Sequence, residues 1–372
     1  MYMPASMPAT PPTAAVILPP REGFGPGRTG AIGLLARRLV QTPGFDTVVF
    51  GGKQDGPVFP GIDFVPVSPA LWPLGNTNVR FAAAVAGVLK KRRPAIAEVH
   101  NRPEMALVLA ARLPEIPVTL ILNNDPQGMR DAASATERAE MLRRLAGVIT
   151  SSEYLRQRVL DGVAAPAKDP VVLPNCFDLA ELPPPRRRER LILFAGRVVA
   201  DKAPDAFVSA CAAALPHLPG WRAEIIGADR FNFDSPDTAF VQMVRAAAEG
   251  ANVRMLGYRD HPEVLAAMGR AAIVVVPSRW PEPFGLVALE ALASGAALVC
   301  SPRGGLPEVA GDSAIYANPD NPAEIAAAIR SLASDEGRRS ALAEAGRQRA
   351  LRFDVPVIAE RLAALRWRMI GL

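Results

Sequence analysis

Short apolar runs rich in β-branched residues alternate along this chain with longer segments rich in alanine, leucine and arginine. Short continuous apolar runs predict strands that are buried on both faces, as in parallel sheets. The longer segments carry apolar residues at helical spacing, and they predict helices at 30–40, 81–91 and Leu286–Ala293. Strand, helix and strand in repeated succession indicate βαβ units, so we predict an α/β fold with parallel sheets.

The predicted strands form two series. They lie at 14–18, 47–50, 95–100, 118–123 and 148–151, and then at 191–195, 223–227, 253–256, 273–277, 297–301 and 314–317. The segment between the two series reads FDLAELPPPRRRER, and its three consecutive prolines fit neither a helix nor a central strand. We therefore predict a disordered tail (1–12), a Rossmann-like domain (13–177), a linker (178–190), a second Rossmann-like domain (191–352) and a terminal amphipathic helix (353–372). Ligands of such sheets bind at the carboxyl ends of the strands, so two such edges facing a central cleft would enclose one site.

Composition narrows the class of protein. The chain of 372 residues is 49% hydrophobic, with no apolar run long enough to predict a transmembrane helix. Its three cysteines are scattered, which argues against a disulfide framework and for a reducing cytoplasm. The net charge of +5 is too small to indicate a nucleic-acid partner. Residues 1–180 carry a net +4, which is compatible with an anionic ligand or an anionic membrane surface.

The richest candidate site is the segment SRWPEPFGLVALEA at 278–291. Glu282 lies in a loop between two prolines, and Glu290 lies in an apolar helix where its charge needs a partner. The backbone N–H groups of Phe284, Gly285 and Leu286 lie at the predicted start of that helix, where they can hold a phosphate. A capped helix with one buried ion pair is the alternative interpretation.

Two glycine-containing loops follow predicted strands. In LFAGRVVADK, Gly196 precedes Arg197 and Lys202. The forked guanidinium of the arginine and the compact ammonium of the lysine together suit a diphosphate. The alternative interpretation is that both are solvated surface cations. Gly25, Gly27 and Gly30 match the dinucleotide fingerprint G-x-G-x-x-G, but no acidic residue ends the second strand to hold a ribose. We interpret that first loop as a glycine loop that closes on a ligand, with a plain flexible loop as the alternative.

Polar residues also end two strands of the first domain. His100 ends the strand AIAEVH and is followed by Arg102, while Asn124 and Asp125 follow the next strand. Their position at the carboxyl edge predicts a ligand site, and a hydrogen-bonded structural histidine is the alternative. No His, Asp or Glu grouping has metal-ligand spacing. The basic run KKRR at 90–93 ends a helix, where cations are favoured by the helix dipole.

These motifs together resemble those of the retaining glycosyltransferase family 4, also called glycosyl transferases group 1, whose members have the GT-B fold. Glu282 and Glu290 match the family's E-x7-E signature. Further family segments are matched by Gly196, Arg197 and Lys202, by Gly304, Gly305, Pro307 and Glu308, and by 174–178, where Cys176 replaces the usual glycine. The resemblance covers nearly the whole chain. Departures are Pro26 in a longer first loop and Asn123–Asn124 where many members carry a histidine, which leave the acceptor open.

The resemblance implies a role for each matching residue. Arg197 and Lys202 would bind the donor diphosphate, with Gly196 beside them, and Glu290 would accept hydrogen bonds from the nucleotide ribose. Glu282 and residues 284–286 would hold the donor sugar and phosphate, Tyr258 and the segment before it would lie near the base, and Gly25 and Gly27 would close on the donor. His100 would contact the sugar, and Arg102, Asn124 and Asp125 would lie on the acceptor side. The terminal helix would cross back onto the N-terminal domain.

The implied activity is retaining transfer of a hexose from a nucleotide-diphosphate sugar, UDP- or GDP-linked, to a glycan or a lipid-linked acceptor. The implied pathway class is lipopolysaccharide, exopolysaccharide or other cell-surface glycan synthesis. No cofactor or metal is expected, because Arg197, Lys202 and a helix N-terminus supply positive charge to the leaving group. The expected location is cytoplasmic, with peripheral attachment to the inner face of the membrane left open.

Other classes of function remain in competition at this point. A non-catalytic nucleotide-sugar or glycan-binding protein has the same fold, and intact glutamates and cations argue against it. A nicotinamide-dependent dehydrogenase is suggested by the first glycine loop, and the absent acidic residue argues against it. An epimerase or a phosphorylase shares the fold, although a phosphorylase would be longer.

Overall fold

The computed structural model describes residues 10–70, 75–230 and 234–371. The first nine residues of the predicted tail lie outside this described part. Contacts within the chain divide it into two units. Unit 1 combines the chain before Phe177 with the C-terminal segment that starts at Val355, and unit 2 is the segment Phe177–Asp354.

Unit 1 is built on a seven-stranded parallel sheet with the order β3-β2-β1-β4-β5-β6-β7. Its strands are β1 (Thr13–Ile17), β2 (Asp46–Gly52), β3 (Asp63–Val67), β4 (Ile96–His100), β5 (Val118–Leu122), β6 (Gly147–Thr150) and β7 (Val171–Val172). Its helices before Phe177 are α1 (Ala31–Arg38), α2 (Thr77–Arg92), α3 (Pro103–Arg112), α4 (Ala135–Arg144) and α5 (Glu153–Leu160). The strand order reverses between β1 and β4, which makes the sheet doubly wound.

Unit 2 is built on a six-stranded parallel sheet with the order β10-β9-β8-β11-β12-β13. Its strands are β8 (Glu189–Ala195), β9 (Arg222–Ile226), β10 (Val253–Met255), β11 (Ala271–Val276), β12 (Ala297–Cys300) and β13 (Ala314–Tyr316). Its helices are α6 (Pro204–Ala214), α7 (Ala239–Gly250), α8 (His261–Arg270), α9 (Leu286–Ala293), α10 (Leu306–Ala310), α11 (Pro322–Ser334) and α12 (Glu336–Ala350). Here the order reverses between β8 and β11.

The structure contains every strand predicted from the sequence and adds two more. Neither β3 nor β7 was predicted, because both lie at edges of the first sheet and lack the continuous apolar run of a strand buried on both faces. The strand β8 begins at Glu189, so the last two residues of the predicted linker belong to a strand. The predicted helix Leu286–Ala293 is confirmed at both ends.

The last helix, α13 (Val355–Met369), belongs to unit 1. It buries Ile358, Leu362 and Trp367, and the Trp367 ring lies 4.6 Å from the ring of Phe45, measured between centroids. The apolar side chains of Leu365 and Met369 in the same helix are only partly buried.

A buried ion pair ties α13 to the centre of the first sheet. The Arg366 guanidinium donates to both carboxylate oxygens of Glu98 in β4, from Nε at 3.0 Å and from Nη2 at 2.6 Å. Both side chains are 1% exposed. A bidentate pair of this kind is strong and geometrically specific, but neither charge is tolerated in this apolar environment without the other.

We expect Arg366→Met to destabilise unit 1 by about 3–5 kcal/mol, because it leaves the Glu98 carboxylate buried without its partner. The double variant Glu98→Met/Arg366→Met should recover most of that loss, since no unpaired charge remains. Hydrogen exchange of the β4 amides, measured by mass spectrometry, reports the opening free energy of this unit alone. Equal losses in the single and the double variant would show that packing, not charge, is what Arg366 supplies.

Candidate functional site

The carboxyl edge of the second sheet brings Lys202, Ser278 and Glu282 together. Lys202 ends a short 3₁₀ turn after β8, Ser278 follows β11, and Glu282 forms a parallel bridge with Gly304, which follows β12. Since β8, β11 and β12 are neighbours in the sheet, residues far apart in sequence end at one place. This is the edge at which open α/β sheets bind ligands.

Glu282 is the centre of this arrangement. Its Oε1 atom accepts from Lys202 Nζ at 2.5 Å and from Ser278 Oγ at 2.6 Å. The Glu282 residue is only 9% exposed, whereas the Lys202 side chain is 26% exposed. The structure therefore combines two predicted site residues in one ion pair, with the cation as the more accessible partner.

The loop that carries Glu282 is held in place by Gly304 and Gly305. Gly304 has a φ of +62°, and a Cβ atom there would lie 2.5 Å from the backbone nitrogen of Glu282. The backbone nitrogen of Gly305 donates to the Glu282 carbonyl at 2.7 Å. Any larger residue at 304 would push the Glu282 loop away, so the backbone here fixes the position of the carboxylate.

The helix α9 begins directly after this loop. Its N-cap is Gly285, whose φ is +107°, and no side chain caps the helix. The helix starts at Leu286, so Glu290 lies in its second turn. The first turn carries no acidic residue, and its N–H groups and dipole can act on an anion.

Glu290 is buried, as predicted, and its partner is a residue that the sequence analysis missed. His261, the first residue of α8, places its Nε2 atom 2.9 Å from Glu290 Oε1. His261 is one of only three histidines in the chain, and it follows Tyr258 by three residues. Nothing in the local sequence of α9 identifies it, since the pair is separated by 29 residues.

The remaining donor-side candidates also lie at strand ends of unit 2. Arg197 is partly buried and follows Gly196 immediately after β8. Tyr258 is partly buried and follows β10, and burial, together with the charge of Asp260, raises the pKa of its hydroxyl.

Hydrogen bonds to Asp201 and Asp205 hold the segment between β11 and Glu282. The backbone nitrogens of Arg279 and Trp280 both donate to the Asp201 carbonyl, at 2.8 and 3.0 Å. The Arg279 guanidinium forms two 2.8 Å hydrogen bonds with the Asp205 carboxylate. These bonds fix the loop that leads from Ser278 to Glu282.

In unit 1, His100 lies at the end of the central strand β4 and is 4% exposed. Burial lowers the pKa of its imidazole to about 4; Glu98 opposes this shift and Arg366 adds to it. The imidazole is therefore neutral at physiological pH, and its Nδ1 atom has no hydrogen-bond partner among the described residues. It can donate or accept one hydrogen bond without carrying charge.

Polar side chains follow β4, β5 and β6 at the same edge. Asn101, with a φ of +52°, accepts from the backbone nitrogen of Asn123 at 2.7 Å. Asn101 Nδ2, Asn123 Oδ1 and Ser151 Oγ are buried and, within the described residues, have no hydrogen-bond partner. Buried polar atoms are normally paired, so this edge has hydrogen-bonding capacity that the protein itself does not use.

The three predicted acceptor-side residues lie around this edge and differ in exposure and in hydrogen bonding. Arg102 donates to the Asn101 carbonyl at 2.7 Å. Asn124 is exposed, and Asp125 caps a 3₁₀ turn and pairs with Arg158 at 2.8 Å. Asn101, Asn123 and Ser151 are the more buried group, and Asn101 and Ser151 were not predicted.

The first glycine loop does not offer the phosphate site of a dinucleotide fold. Gly25 is buried against the Pro57 carbonyl, and Gly27 lies in open space. Gly30 caps α1, but the Glu22 carboxylate accepts from the backbone nitrogen of Gly33 at 2.9 Å. A carboxylate of this protein thus occupies the helix N-terminus at which a dehydrogenase binds pyrophosphate.

Among the residues that the structure describes, no group of three or more His, Cys, Asp or Glu side chains is arranged to hold a metal ion. No helix of that described part of the chain is both long enough and apolar enough to cross a membrane.

Two doubly wound units, the second with a cation, a carboxylate and an uncapped helix at its carboxyl edge, place the chain in the class of α/β proteins that bind ligands at such edges. Comparison with known families agrees. Residues 32–181 match the model of Glycosyltransferase Family 4, and residues 182–349 match that of Glycosyl transferases group 1. The chain belongs to the GT-B glycosyltransferase family.

Relatives and solved structures extend this result. A glycogen synthase from Mycobacterium tuberculosis is 34% identical over 219 residues, which are 56% of this chain and 50% of that protein. This chain thus spans about half the length of the first curated relatives it matches. A sucrose-phosphate synthase from Thermosynechococcus elongatus superimposes with a TM-score of 0.77 at 19% identity, covering 96% of this chain and 99% of that one. HepE from Anabaena, in complex with UDP and glucose, gives 0.73 at 19%, covering 94% and 98%.

We expect the imidazole of His100 to stay neutral down to about pH 4, because burial lowers its pKa from the usual 6.5. A lowered pKa means that the unfolded chain binds the proton more tightly. His100 therefore contributes stability above about pH 6.5, and this contribution is lost as the pH falls towards 4, by about 2 kcal/mol between pH 7 and pH 5. Titration of the histidine side-chain NMR signals measures this pKa, with His100→Gln and His217→Gln to assign them. A midpoint near 6.5 for His100 would contradict the burial argument.

Proposed function

We propose that this protein is a retaining glycosyltransferase that moves a hexose from a nucleotide-diphosphate sugar to a hydroxyl of a glycan or a lipid-linked acceptor. The observation that carries the proposal is the Lys202–Glu282 ion pair beside the uncapped N-terminus of α9. The two features together offer positive charge for a diphosphate and a carboxylate for sugar hydroxyls at one edge of the second sheet. UDP is the first nucleotide to test, because HepE, which shares this fold, binds UDP.

The donor would lie along the carboxyl edge of the second sheet. Lys202 and Arg197 would contact the diphosphate, with Gly196 permitting close approach, and the N–H groups of 284–286 would face a phosphate oxygen. Once the diphosphate binds Lys202, the Glu282 carboxylate is released from that ion pair. It then accepts a hydrogen bond from a hydroxyl of the donor sugar. Glu290 would accept from the ribose, and Tyr258 would lie near the base.

The transfer step requires stabilisation of the leaving nucleoside diphosphate. The bond between the anomeric carbon and the phosphate oxygen breaks, and its electron pair goes to the phosphate. The acceptor oxygen bonds to the same face of that carbon, and its proton passes to the departing phosphate. Lys202, Arg197 and the α9 dipole are already positioned to stabilise the developing negative charge. Such preorganised electrostatic stabilisation is usually the largest single contribution to catalysis.

We favour front-face attack over a covalent intermediate on Glu282. Oε1 of that carboxylate also accepts a hydrogen bond from Ser278, which remains when Lys202 turns to the phosphate and suits a hydrogen-bonding role better than nucleophilic attack. NMR analysis of the product decides the stereochemistry, since an inverted anomer would contradict retention.

We also propose that the transfer needs no metal ion, because side chains supply the positive charge. The same assay in excess EDTA tests this. Loss of activity that magnesium restores would contradict it.

The acceptor would bind at the carboxyl edge of the first sheet. His100 in its neutral form, with the unused hydrogen-bonding atoms of Asn101, Asn123 and Ser151, suits a hydroxylated acceptor group. Arg102, Asn124 and Asp125 would border this region, whereas the loop of Gly25 and Gly27 would close on the donor, as the family resemblance implies. Acceptor profiling with free sugars against sugar phosphates tests this, since a strict demand for phosphate would contradict it.

The cell-surface role and the membrane contact belong to the same proposal. Lys90 and Lys91 are exposed at the end of α2, whereas Arg92 and Arg93 pair with Asp63 and Glu115. We propose a cytoplasmic protein that contacts an anionic membrane surface through this basic run. Sedimentation with anionic vesicles, weakened by salt, is expected; failure to bind at any salt concentration would contradict it.

Replacing Lys202 with alanine should weaken UDP binding by about 1.5–3 kcal/mol, the range for a hydrogen bond to a charged group. Calorimetry on the variant measures this, with GDP and ADP tested in parallel. Lys91→Ala is the matched control, because it removes an exposed cation outside the proposed donor site. Equal affinities of the wild type and Lys202→Ala would place the diphosphate elsewhere.

The two glutamates should respond differently to loss of charge. Glu282→Gln should lower kcat on the order of 100-fold, since its contact with the sugar strengthens as charge develops. Glu290→Gln should chiefly raise the donor KM, because a ribose is held equally in the ground state and the transition state. Steady-state kinetics on both variants decides between the roles. If Glu290→Gln loses kcat at saturating donor while Glu282→Gln does not, the assignments are reversed.

A further inference from the structure

The hydrogen bond between His261 and Glu290 has no counterpart in the motifs that identify the family resemblance. Glu290 is 7% exposed and lies on α9, whose other residues are all apolar. A buried carboxylate in such surroundings needs a fixed donor. His261 supplies it at 2.9 Å, and the His261 side chain is itself 34% exposed.

The direction of this bond follows from the chemistry of the two groups. A carboxylate only accepts hydrogen bonds, so Nε2 of His261 carries the proton. The bond engages Oε1 of Glu290 and sets the rotation of the carboxylate, leaving Oε2 for a second donor. A ribose hydroxyl is such a donor.

His261 is not needed to begin its own helix. Asp260 is the N-cap of α8, and it forms a capping box with Glu263. The Asp260 backbone nitrogen donates to the Glu263 carboxylate at 3.3 Å. The helix start is therefore fixed by its neighbours, and it does not depend on the hydrogen bond between His261 and Glu290.

We propose that His261 is a positioning residue of the donor site, which orients the Glu290 carboxylate for one hydroxyl of the nucleotide ribose. This rests on the proposed function, because it takes Glu290 as the ribose ligand. It adds a residue from α8, a different element, to the recognition of the nucleotide.

The test measures whether His261 and a ribose hydroxyl act on the same bond. Calorimetry compares UDP with 2′-deoxy-UDP and 3′-deoxy-UDP on the wild type, His261→Leu, His261→Gln and Glu290→Gln. The wild type should prefer UDP over one deoxynucleotide by about tenfold. His261→Leu should lose about tenfold in UDP affinity and most of that preference, while His261→Gln, which keeps an N–H donor, should retain both in large part.

Kinetics supply a second readout that a merely structural role would not give. His261→Leu should raise the donor KM about tenfold and leave kcat within about twofold of the wild type. His217→Gln is the control, because His217 lies in a 3₁₀ turn after α6, away from the proposed donor site. Melting curves confirm that each variant is folded.

The outcomes separate this inference from the function on which it rests. If His261→Leu weakens all three nucleotides equally, or leaves the preference for the ribose hydroxyl intact, His261 does not position Glu290 and the inference is overturned. If Glu290→Gln abolishes the preference in that same experiment, the donor site itself stands. If the wild type binds none of UDP, GDP and ADP, the proposed function fails first.

Discussion

Buried carboxylates impose the strictest constraint on this protein, because each requires a fixed partner from a distant part of the chain. Glu98 is paired with Arg366, Glu282 with Lys202 and Glu290 with His261. The apolar surroundings of these carboxylates tolerate their charge only when the element that carries the partner is packed in place. The same contacts that make the charges tolerable also place them, so the demands of folding and of ligand binding coincide at the two proposed donor-site glutamates.

The sequence predicts the fold well where burial is complete. Strands with two buried faces have a continuous apolar run that is visible without alignment, whereas β3 is partly polar and contains Pro66, so it leaves no such signal. The helix α9 can also be predicted from the sequence, because a glycine and two prolines precede an apolar run. Local patterns therefore reveal the central strands and the edge strands β10 and β13 of the second sheet, but they miss β3 and β7 at the edges of the first sheet.

The site could be predicted only in part, and the reason is the distance along the chain between partners. The sequence shows that Glu290 needs a donor, but it does not show that the donor is His261, since that depends on how α8 packs beside α9. Similarly, Lys202 and Glu282 are 80 residues apart and meet because β8 and β11 are adjacent. At the first sheet, Asn101 and Ser151 stand out only because Nδ2 of the one and Oγ of the other are buried without a hydrogen-bond partner among the described residues.

The return of α13 to unit 1 has a consequence for biosynthesis. Glu98 and Arg366 are separated by 268 residues, so on the ribosome the first sheet must wait for nearly the whole chain before its central carboxylate is neutralised. At ordinary elongation rates this delay is on the order of tens of seconds. Unit 2 is continuous in sequence and has no such dependence. The order of translation therefore favours native contacts in the second half of the protein before the first half is complete.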